Sequence, residues 1–471
     1  LKVLKHATHP LSVLRGGGFN SMPAMRRRIS AASTLGAILS MVPQVETLPY
    51  LPLVRYSVDL GADPGERYMH VWADFLRRQG PSAFEQTYRG WQSWLTAEFP
   101  HLFGTPERSR QSQASWLAAL QSAHPGAAEE VSALSRALLA VSPAEPLFQP
   151  AALATASSLY PILNTAPKNT TDTRSSACTS TLVRQDDGKV LHGRSLDYEP
   201  RDPIALGTVV LDFQQHGHTV YSCLHPLQYP TALQWFTCVR PGTFSLSVNA
   251  RSQGRDTEHN ATFQELLRRV ASPGALLLGE AAEQAMQAET YETALQTLLS
   301  APVVSSNYYI LAGALGQGAV VTRFGNASSA DAWALGSASG WSDGQPPWMR
   351  VQTNVDHWVH FESGAYATHR RQQAVELLAG MGRGAVNKSS LFRMYLTDHA
   401  RAGSQNHTRP EDTGAILRPS TIATLVMDPA GPASTEADLD LWRVWAKTPV
   451  IGPPAGPPRA ARPGGGGRPP L

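Results

Sequence analysis

The chain is poor in cysteine, with only Cys178, Cys223 and Cys238 among 471 residues. So few cysteines exclude a disulfide-scaffold protein, and the odd number leaves at least one thiol unpaired. Cys223 and Cys238 lie in neighbouring strand-like segments, where they could form a disulfide or remain two buried thiols. None of the three has the spacing of a metal site, so we expect no metal.

An excess of one charge and long apolar runs are also lacking. Forty Lys and Arg residues against 37 Asp and Glu residues give a net charge of +3. This balance argues against nucleic acid as a partner. Because no run of about eighteen apolar residues occurs, we expect no segment that spans a bilayer. Hydrophobic residues still make up 42% of the chain, which is enough for a sizeable core.

The two ends of the chain have compositions unlike that of a folded domain. Residues 1–48 read as a leader, in which Met25 and the three arginines at 26–28 precede a small and apolar stretch at 29–42. This is the layout of a secretory signal, although a chance basic cluster is the alternative. Pro, Gly and Arg dominate residues 451–471, which predicts a disordered tail.

Glycosylation motifs favour the secretory route. One Asn-x-Ser/Thr sequence is usually a chance occurrence, but five of them together predict a lysosomal or secreted protein. The five candidate glycosylation sites are Asn169, Asn260, Asn326, Asn387 and Asn406.

Hydrophobic periodicity divides the rest of the chain into two parts. From about residue 66 to 140 the pattern is helical, with aromatic stripes that are typical of a core and that could alternatively line a slot for an acyl chain. After residue 176 strand-like and helical runs follow one another, which predicts an α+β fold of layered sheets covered by helices. The polar stretch 164–176 predicts an exposed loop between the two parts.

A predicted hairpin brings three reactive groups to one end. Its turn is at residues 187–188, and this register places Cys178 opposite Leu196. Arg194 and Asp197 then lie at the same end as the thiol. A neighbouring cation favours a thiolate. The alternative interpretation is structural, with a buried cysteine beside a surface ion pair.

The same residues resemble the motifs of the acid ceramidase and N-acylethanolamine acid amidase family. The run Cys-Thr-Ser at 178–180 is followed by His-Gly-Arg-Ser-Leu-Asp-Tyr at 192–198. Further motifs follow in family order, so that the resemblance covers roughly residues 50–430. They lie at 211–213, 241–246, 309–311, 320–323, 351–358 and 370–371.

The resemblance implies an αββα N-terminal-nucleophile hydrolase sandwich preceded by a helical α-chain segment. Such a protein is made as an inactive precursor that cleaves itself, here between Ala177 and Cys178. The α-chain (49–177) and the catalytic β-chain (178–450) would stay associated. The freed α-amine would take the thiol proton, so no cofactor is needed.

The resemblance also implies roles for single residues. Asp197 would orient the freed amine, while Arg194 would stabilise the thiolate and bind the substrate near its carbonyl. Asn354 would stabilise the oxyanion, although a turn residue at a strand end is its alternative interpretation. Arg370 matches the first arginine of the family's pair, but Arg371 could be the functional one.

Three further residues and one departure complete the predicted site. Tyr198 could bind substrate or simply pack, and His192 and His357 are expected to be structural. Relatives carry an acidic residue after the asparagine that corresponds to Asn249. This chain has Ala250 there, so a carboxylate that would order the site's arginines is missing.

The expected reaction is hydrolysis of an N-acylated lipid to a fatty acid and an amine, with transient contact to a membrane surface. Ceramide and N-acylethanolamines remain equally open as substrates. A lipid-binding pseudoenzyme of the same fold is the alternative, favoured by Ala250 alone. A cysteine peptidase is disfavoured because no Cys–His–Asn order is evident.

Overall fold

The computed structural model describes part of the chain. The described residues are 50–159, 176–230, 233, 237–251, 262–325, 330–337, 345–359, 366–396, 416–431 and 442–446. The predicted leader at 1–48, the predicted tail at 451–471 and four of the five glycosylation sites lie outside them. The four are Asn169, Asn260, Asn326 and Asn406.

Helices dominate the described chain before Cys178. The strands are β1 (Tyr50–Leu51) and β2 (Arg55–Asp59), and the helices are α1 (Met69–Gln79), α2 (Ser82–Glu98), α3 (Pro100–Phe103), α4 (Pro106–Ala123), α5 (Pro125–Val141) and α6 (Pro150–Ser157). Helices α3 to α6 each begin with a proline, which has no N–H to leave unpaired in the first turn. At the start of α4 the Thr105 side chain accepts a hydrogen bond from the backbone N–H of Arg108.

Strands and helices alternate after residue 176. The strands are β3 (Ser176–Arg184), β4 (Val190–Tyr198), β5 (Thr208–Gln215), β6 (His218–Pro226), β7 (Thr237–Arg240), β8 (Phe244–Ala250), β9 (Asn307–Gly313), β10 (Gly318–Arg323), β11 (Ala330–Ala334), β12 (Met349–Gln352), β13 (Thr421–Met427) and β14 (Trp442–Trp445). The helices are α7 (Arg201–Leu206), α8 (Phe263–Val270), α9 (Leu278–Gln287), α10 (Tyr291–Ser300), α11 (Tyr366–Met381) and α12 (Lys388–Tyr395).

The strands form two sheets. One has the order β1-β14-β13-β4-β3-β12, and the other has the order β11-β10-β9-β8-β7-β6-β5-β2. Strand β2 is parallel to β5, whereas β3 and β4 are antiparallel. Cys178 lies opposite Leu196, so the register predicted for the hairpin is confirmed. The turn between these strands uses Gly188 at a φ of 89°, a conformation that glycine adopts without steric cost.

The two sheets lie face to face and are covered by helices on their outer sides. Leu182 of the first sheet and Ile310 of the second belong to one buried cluster between them. Helices α11 and α12 contact the first sheet, and Leu391 of α12 is buried in their shared core. Helix α10 contacts β9, β10 and β11 of the second sheet. The predicted α+β class and the αββα layering are therefore confirmed.

The segment before Cys178 packs on the segment that follows it through aromatic side chains. Trp91 of α2 lies 4.6 Å from the ring of Tyr229 and 6.5 Å from the ring of Tyr198, between centroids. Its indole N–H donates to the carbonyl of Glu199 at 3.1 Å. In this region the aromatic residues are buried in the core, as expected of such stripes. The domain boundaries themselves stay a prediction.

Cys223 and Cys238 form a disulfide between adjacent positions of β6 and β7. This decides between the two possibilities that the sequence left open. Cys178 is the remaining free thiol, and it is buried. None of the helices among the described residues is long and apolar enough to cross a membrane.

The packing between the sheets predicts a large stability difference between two leucines. Leu182 is 0% exposed, whereas Leu315 is 62% exposed. Leu182→Ala should lower the free energy of unfolding by about 2–5 kcal/mol, because it removes buried methyl groups and leaves a cavity. The control Leu315→Ala should stay within about 0.5 kcal/mol of the parent. Urea denaturation measures both, and equal losses would contradict a packed layer there.

Candidate active site

Cys178 and Arg194 meet in the space between the two sheets. Side chains alternate along a strand, so Cys178 and Ser180 of β3 face the second sheet together with Arg194 of β4. Cys178 is 1% exposed. The Nη2 atom of Arg194 donates to the Cys178 Sγ at 3.5 Å. The structure thus brings the predicted nucleophile and its predicted cation into contact.

A glycine allows the β4 strand to sit this close to its neighbours. At Gly193, beside Arg194, an added Cβ atom would lie 2.5 Å from a ring carbon of Tyr395 and 2.7 Å from Oγ1 of Thr181. A side chain at this position would force Tyr395, Thr181 or the strand itself to move. The glycine of the His-Gly-Arg motif therefore allows the close packing of β4 against Tyr395 and Thr181.

Opposing effects act on the thiol. Burial raises the pKa of Cys178, and the charge of Arg194 lowers it, while Asp197 raises it again. Burial is the largest effect, so the pKa lies above its ordinary value. In the continuous chain the thiol is therefore protonated at neutral and acidic pH.

Both terminal nitrogens of the Arg194 guanidinium donate hydrogen bonds to the protein. Nη1 donates to Oδ1 of Asn249 at 2.7 Å and to Oγ of Ser180 at 3.3 Å. Nη2 donates to the backbone carbonyl of Val248 at 2.7 Å. These bonds to strands β3 and β8 leave the guanidinium edge directed at the Cys178 sulfur.

Asp197 lies on the opposite face of β4 from Arg194. Its Oδ1 accepts from Oγ of Ser195 at 2.9 Å and from Oγ1 of Thr421 at 2.7 Å. Its Oδ2 pairs with Nη1 of Arg370 at 3.4 Å. Burial raises the pKa of the Asp197 carboxyl, and the charges of Arg418 and Arg370 oppose that rise.

Asn354 contacts the nitrogen of Cys178, an interaction that the resemblance had assigned to Asp197. Its Oδ1 accepts from the Cys178 backbone N–H at 2.8 Å and from Nη2 of Arg370 at 2.8 Å. Its Nδ2 donates to the carbonyl of Ala250 at 2.8 Å. Two donors facing Oδ1 fix the orientation of the amide. Because an oxyanion needs the Nδ2 donor, the oxyanion role of Asn354 stays a prediction.

Of the two adjacent arginines, Arg370 is the one in the site. It bonds both Asp197 and Asn354 and is fully buried. Arg371 donates from Nη1 to the backbone carbonyls of Val355 at 3.4 Å and Asp356 at 2.9 Å. The geometry therefore places Arg370 beside the reactive cysteine and Arg371 under the loop that follows Asn354.

Asp356 is a buried acid that the sequence reasoning did not single out. Both of its oxygens pair with Arg251, Oδ1 with Nε at 2.7 Å and Oδ2 with Nη2 at 2.9 Å. Oη of Tyr308 also donates to Oδ1 at 2.6 Å, and the guanidinium carbon of Arg251 lies 4.3 Å from the centre of the Phe324 ring. The signal was present, because Asp356 stands two residues after Asn354 within the matching motif.

The missing acid at Ala250 does not deprive the arginines of carboxylate partners. Arg251 pairs with Asp356, and Arg370 pairs with Asp197. Ala250 is itself buried, and its carbonyl serves as the acceptor for the Asn354 amide. The substitution thus leaves an ordered site around Cys178.

His192, expected to be structural, lies between two serines of β8. Its Nδ1 is 2.9 Å from Oγ of Ser245, and its Nε2 is 2.9 Å from Oγ of Ser247. Burial lowers the pKa of His192 to about 3, with a smaller effect from Arg194. The ring is therefore neutral and joins the two sheets through uncharged hydrogen bonds.

His357, also expected to be structural, stacks on an aromatic ring. The ring centroids of His357 and Trp333 are 4.5 Å apart, and their planes differ by 10°. Its Nε2 lies 3.6 Å from Oδ2 of Asp331. Burial lowers the pKa of His357 to about 4, so its ring is neutral above that pH.

Tyr198 is buried, with its ring edge-on to Trp91 and to Tyr229, whose centroids are 6.5 Å and 6.0 Å away. It lies two positions beyond Leu196 on the same strand, the residue paired with Cys178. In the continuous chain Tyr198 thus packs against these two aromatic rings, and its role in binding substrate stays a prediction.

A candidate glycosylation site and the question of a metal site remain. Asn387 is the one candidate glycosylation site among the described residues, and it is exposed at the start of α12, where its Oδ1 accepts from the N–H of Ser390 at 2.9 Å. Among the described residues no cluster of His, Cys, Asp and Glu could hold a metal ion.

The buried ion pair between Arg251 and Asp356 predicts a strong effect of removing one charge. Asp356→Asn should lower the free energy of unfolding by about 3–5 kcal/mol, because Arg251 would remain buried without a counter-charge. Asp187→Asn is the matched control, since Asp187 pairs with Lys189 at 3.3 Å on the surface, and it should cost less than about 1 kcal/mol. Thermal unfolding compares the two, and a small loss in Asp356→Asn would show that the pair is not desolvated.

Similar proteins identify the relatives of the chain. It is 28% identical to the N-acylethanolamine-hydrolyzing acid amidase of Rattus norvegicus over 220 residues, which are 47% of this chain and 56% of that protein. It is 30% identical to the acid ceramidase of Mus musculus over 200 residues, covering 38% of this chain and 46% of that protein. The chain thus spans about half the length of the relatives it matches. No family model matches it.

Among solved structures, the chain resembles the Caenorhabditis elegans N-acylethanolamine-hydrolyzing acid amidase ortholog. The two are 25% identical, with a TM-score of 0.43, and the match covers 57% of this chain and 99% of that one. The resemblance read from the sequence motifs is confirmed by the sequence matches: the chain is similar to N-acylethanolamine-hydrolyzing acid amidases and to acid ceramidases.

Proposed function

We propose that the chain is a hydrolase that cleaves the amide bond of N-acylated lipids, with Cys178 as its nucleophile. One observation carries the proposal: the two reactive atoms of Cys178 each have a dedicated partner. The sulfur faces Arg194 at 3.5 Å, and the nitrogen donates to Asn354 at 2.8 Å. The names of the relatives, amidase and ceramidase, support the reaction class.

The first step of the proposal is self-cleavage between Ala177 and Cys178. The Cys178 sulfur attacks the carbonyl carbon of Ala177, a carbon–sulfur bond forms, and the carbon–nitrogen bond breaks. The nitrogen takes the proton that the thiol gives up and becomes the α-amine. Water then hydrolyses the thioester, which restores the thiol and leaves a carboxylate on Ala177.

Turnover of a lipid amide repeats this chemistry on an external acyl group. The α-amine takes the thiol proton, and the sulfur attacks the acyl carbonyl, where Arg194 stabilises the developing charge. The proton passes to the departing amine of the lipid. Water activated by the α-amine then releases the fatty acid. Asn354, already bonded to this nitrogen and to Arg370, would hold the amine in place.

The proposal extends to the compartment and the partners. A disulfide between Cys223 and Cys238 and the exposed sequon at Asn387 support a lysosomal or secreted protein. Strands β1 and β2 pair with β14 and β5 across the cleavage point, which supports continued association of the two chains. Because a lipid substrate must leave a membrane or micelle, we expect transient contact with a membrane surface. Ceramide and N-acylethanolamines both remain candidate substrates.

Self-cleavage predicts two fragments in place of one chain. The intact mass of the purified protein, incubated at acidic pH, should divide at the bond between Ala177 and Cys178. Cys178→Ala should keep a single mass, because the attacking sulfur is gone. Ser132→Ala, a helix residue outside the site, is the control and should divide like the parent. Division of the Cys178→Ala chain at the same bond would refute self-cleavage by this residue.

Hydrolysis of lipid amides is tested on the two substrates in parallel. Ceramide and palmitoylethanolamide should each release a fatty acid, and the ratio of their kcat/KM values assigns the preferred class. Cys178→Ala should lose turnover by about 10⁴-fold or more, since the nucleophile cannot be replaced. A processed protein that binds both lipids yet releases no fatty acid would favour the pseudoenzyme alternative.

A further inference from the structure

Asn249 lies between the two groups that contact Cys178. It is the penultimate residue of β8, in the second sheet, and it is fully buried. Its amide group reaches across to the first sheet, where the reactive cysteine lies. The mechanism above assigns it no role.

The oxygen of the Asn249 amide bonds the groups that lie beside the Cys178 sulfur. Oδ1 accepts from Nη1 of Arg194 at 2.7 Å and from Oγ of Ser180 at 3.0 Å. An amide oxygen has two lone pairs, so both are used. The bond to Arg194 is among the shortest that this guanidinium makes, and Nη2 of the same group points at the Cys178 sulfur.

The nitrogen of the Asn249 amide bonds the backbone that precedes Asn354. Nδ2 donates to the backbone carbonyls of Gln352 at 3.0 Å and Thr353 at 3.4 Å. Gln352 is the last residue of β12, and Thr353 leads directly into Asn354, whose Oδ1 accepts from the Cys178 nitrogen. The position of Asn354 therefore depends on carbonyls that Asn249 holds.

The orientation of the Asn249 amide is determined by its neighbours. A flipped amide would point its NH₂ group at the guanidinium of Arg194 and its oxygen at two carbonyl oxygens, so each contact would become repulsive. The Asn249 amide thus connects the guanidinium of Arg194 with the backbone at residues 352–353. The size of this amide sets the distance between the two.

We propose that Asn249 is a positioning residue that holds Arg194 at the sulfur of Cys178 and Asn354 at its nitrogen. The proposal rests on the proposed function, in which both atoms of Cys178 take part in the reaction. Asn249 acts only through these neighbours. Its loss should therefore change the chemistry of Cys178 and the turnover rate more than it changes substrate binding.

The direct test follows the thiol by NMR in protein labelled with [3-¹³C]cysteine. Cys223 and Cys238 are joined in a disulfide and do not titrate, so the one titrating Cβ signal belongs to Cys178. In Asn249→Ala the midpoint of this titration should rise by about one pH unit, because Arg194 loses one of the two shortest hydrogen bonds that hold it at the sulfur. In the same variant kcat should fall by about 10²-fold with little change in KM.

Ser245→Ala is the matched control. Ser245 lies on the same strand, is equally buried and loses one hydrogen bond, to Nδ1 of His192, when truncated. Its titration midpoint should remain that of the parent. If Asn249→Ala and Ser245→Ala give the same midpoint and the same kcat, Asn249 is only a buried polar residue of the core and the proposal is overturned.

Asn249→Ser covers the case in which the alanine variant does not fold. Its hydroxyl can still accept from Arg194 but cannot reach the β12 carbonyls, so we expect a smaller midpoint shift with a similar loss of kcat. A parental midpoint and kcat in this variant would also overturn the proposal. The NMR titration needs no substrate, so a midpoint shift without lipid turnover in the parent would refute the proposed function while supporting the positioning role.

Discussion

The guanidinium of Arg194 is a full charge placed between two sheets, where water does not reach it. A buried cation is tolerated only when protein groups replace its hydration, and here Asn249, Val248 and Ser180 do so. Those partners belong to strands of both sheets. The distance between the sheets, the depth of the arginine and the surroundings of the Cys178 sulfur are therefore linked, and each constrains the others.

Much of the arrangement follows from local sequence. The turn at residues 187–188 sets the register of the hairpin, and the two-residue period of a strand then decides which side chains share a face. From this alone Cys178 and Arg194 could be placed together. The alternation of strand-like and helical runs likewise indicated the layered α+β fold, because each sheet face must be covered by apolar side chains.

Other contacts depend on chain segments that are distant in sequence, and no local pattern indicates them. Asn249 and Asn354 come within reach of Cys178 only after the two sheets face each other. The pairing of Asp356 with Arg251 spans 105 positions, and many pairings would have fitted the same residue types. The resemblance assigned the freed amine of Cys178 to Asp197, whose side chain lies on the other face of β4 by strand alternation, and this role stays a prediction.

The short strands β1 and β2 sit at the outer edges of the two sheets, beside β14 and β5. A β-strand without a neighbour exposes a row of unpaired N–H and C=O groups that can recruit a strand from another molecule. The segment before Cys178 thus acts as a shield for these edges. A chain produced without that segment would present β14 and β5 as templates for intermolecular pairing, so both sheets need residues 50–59 to complete their edges.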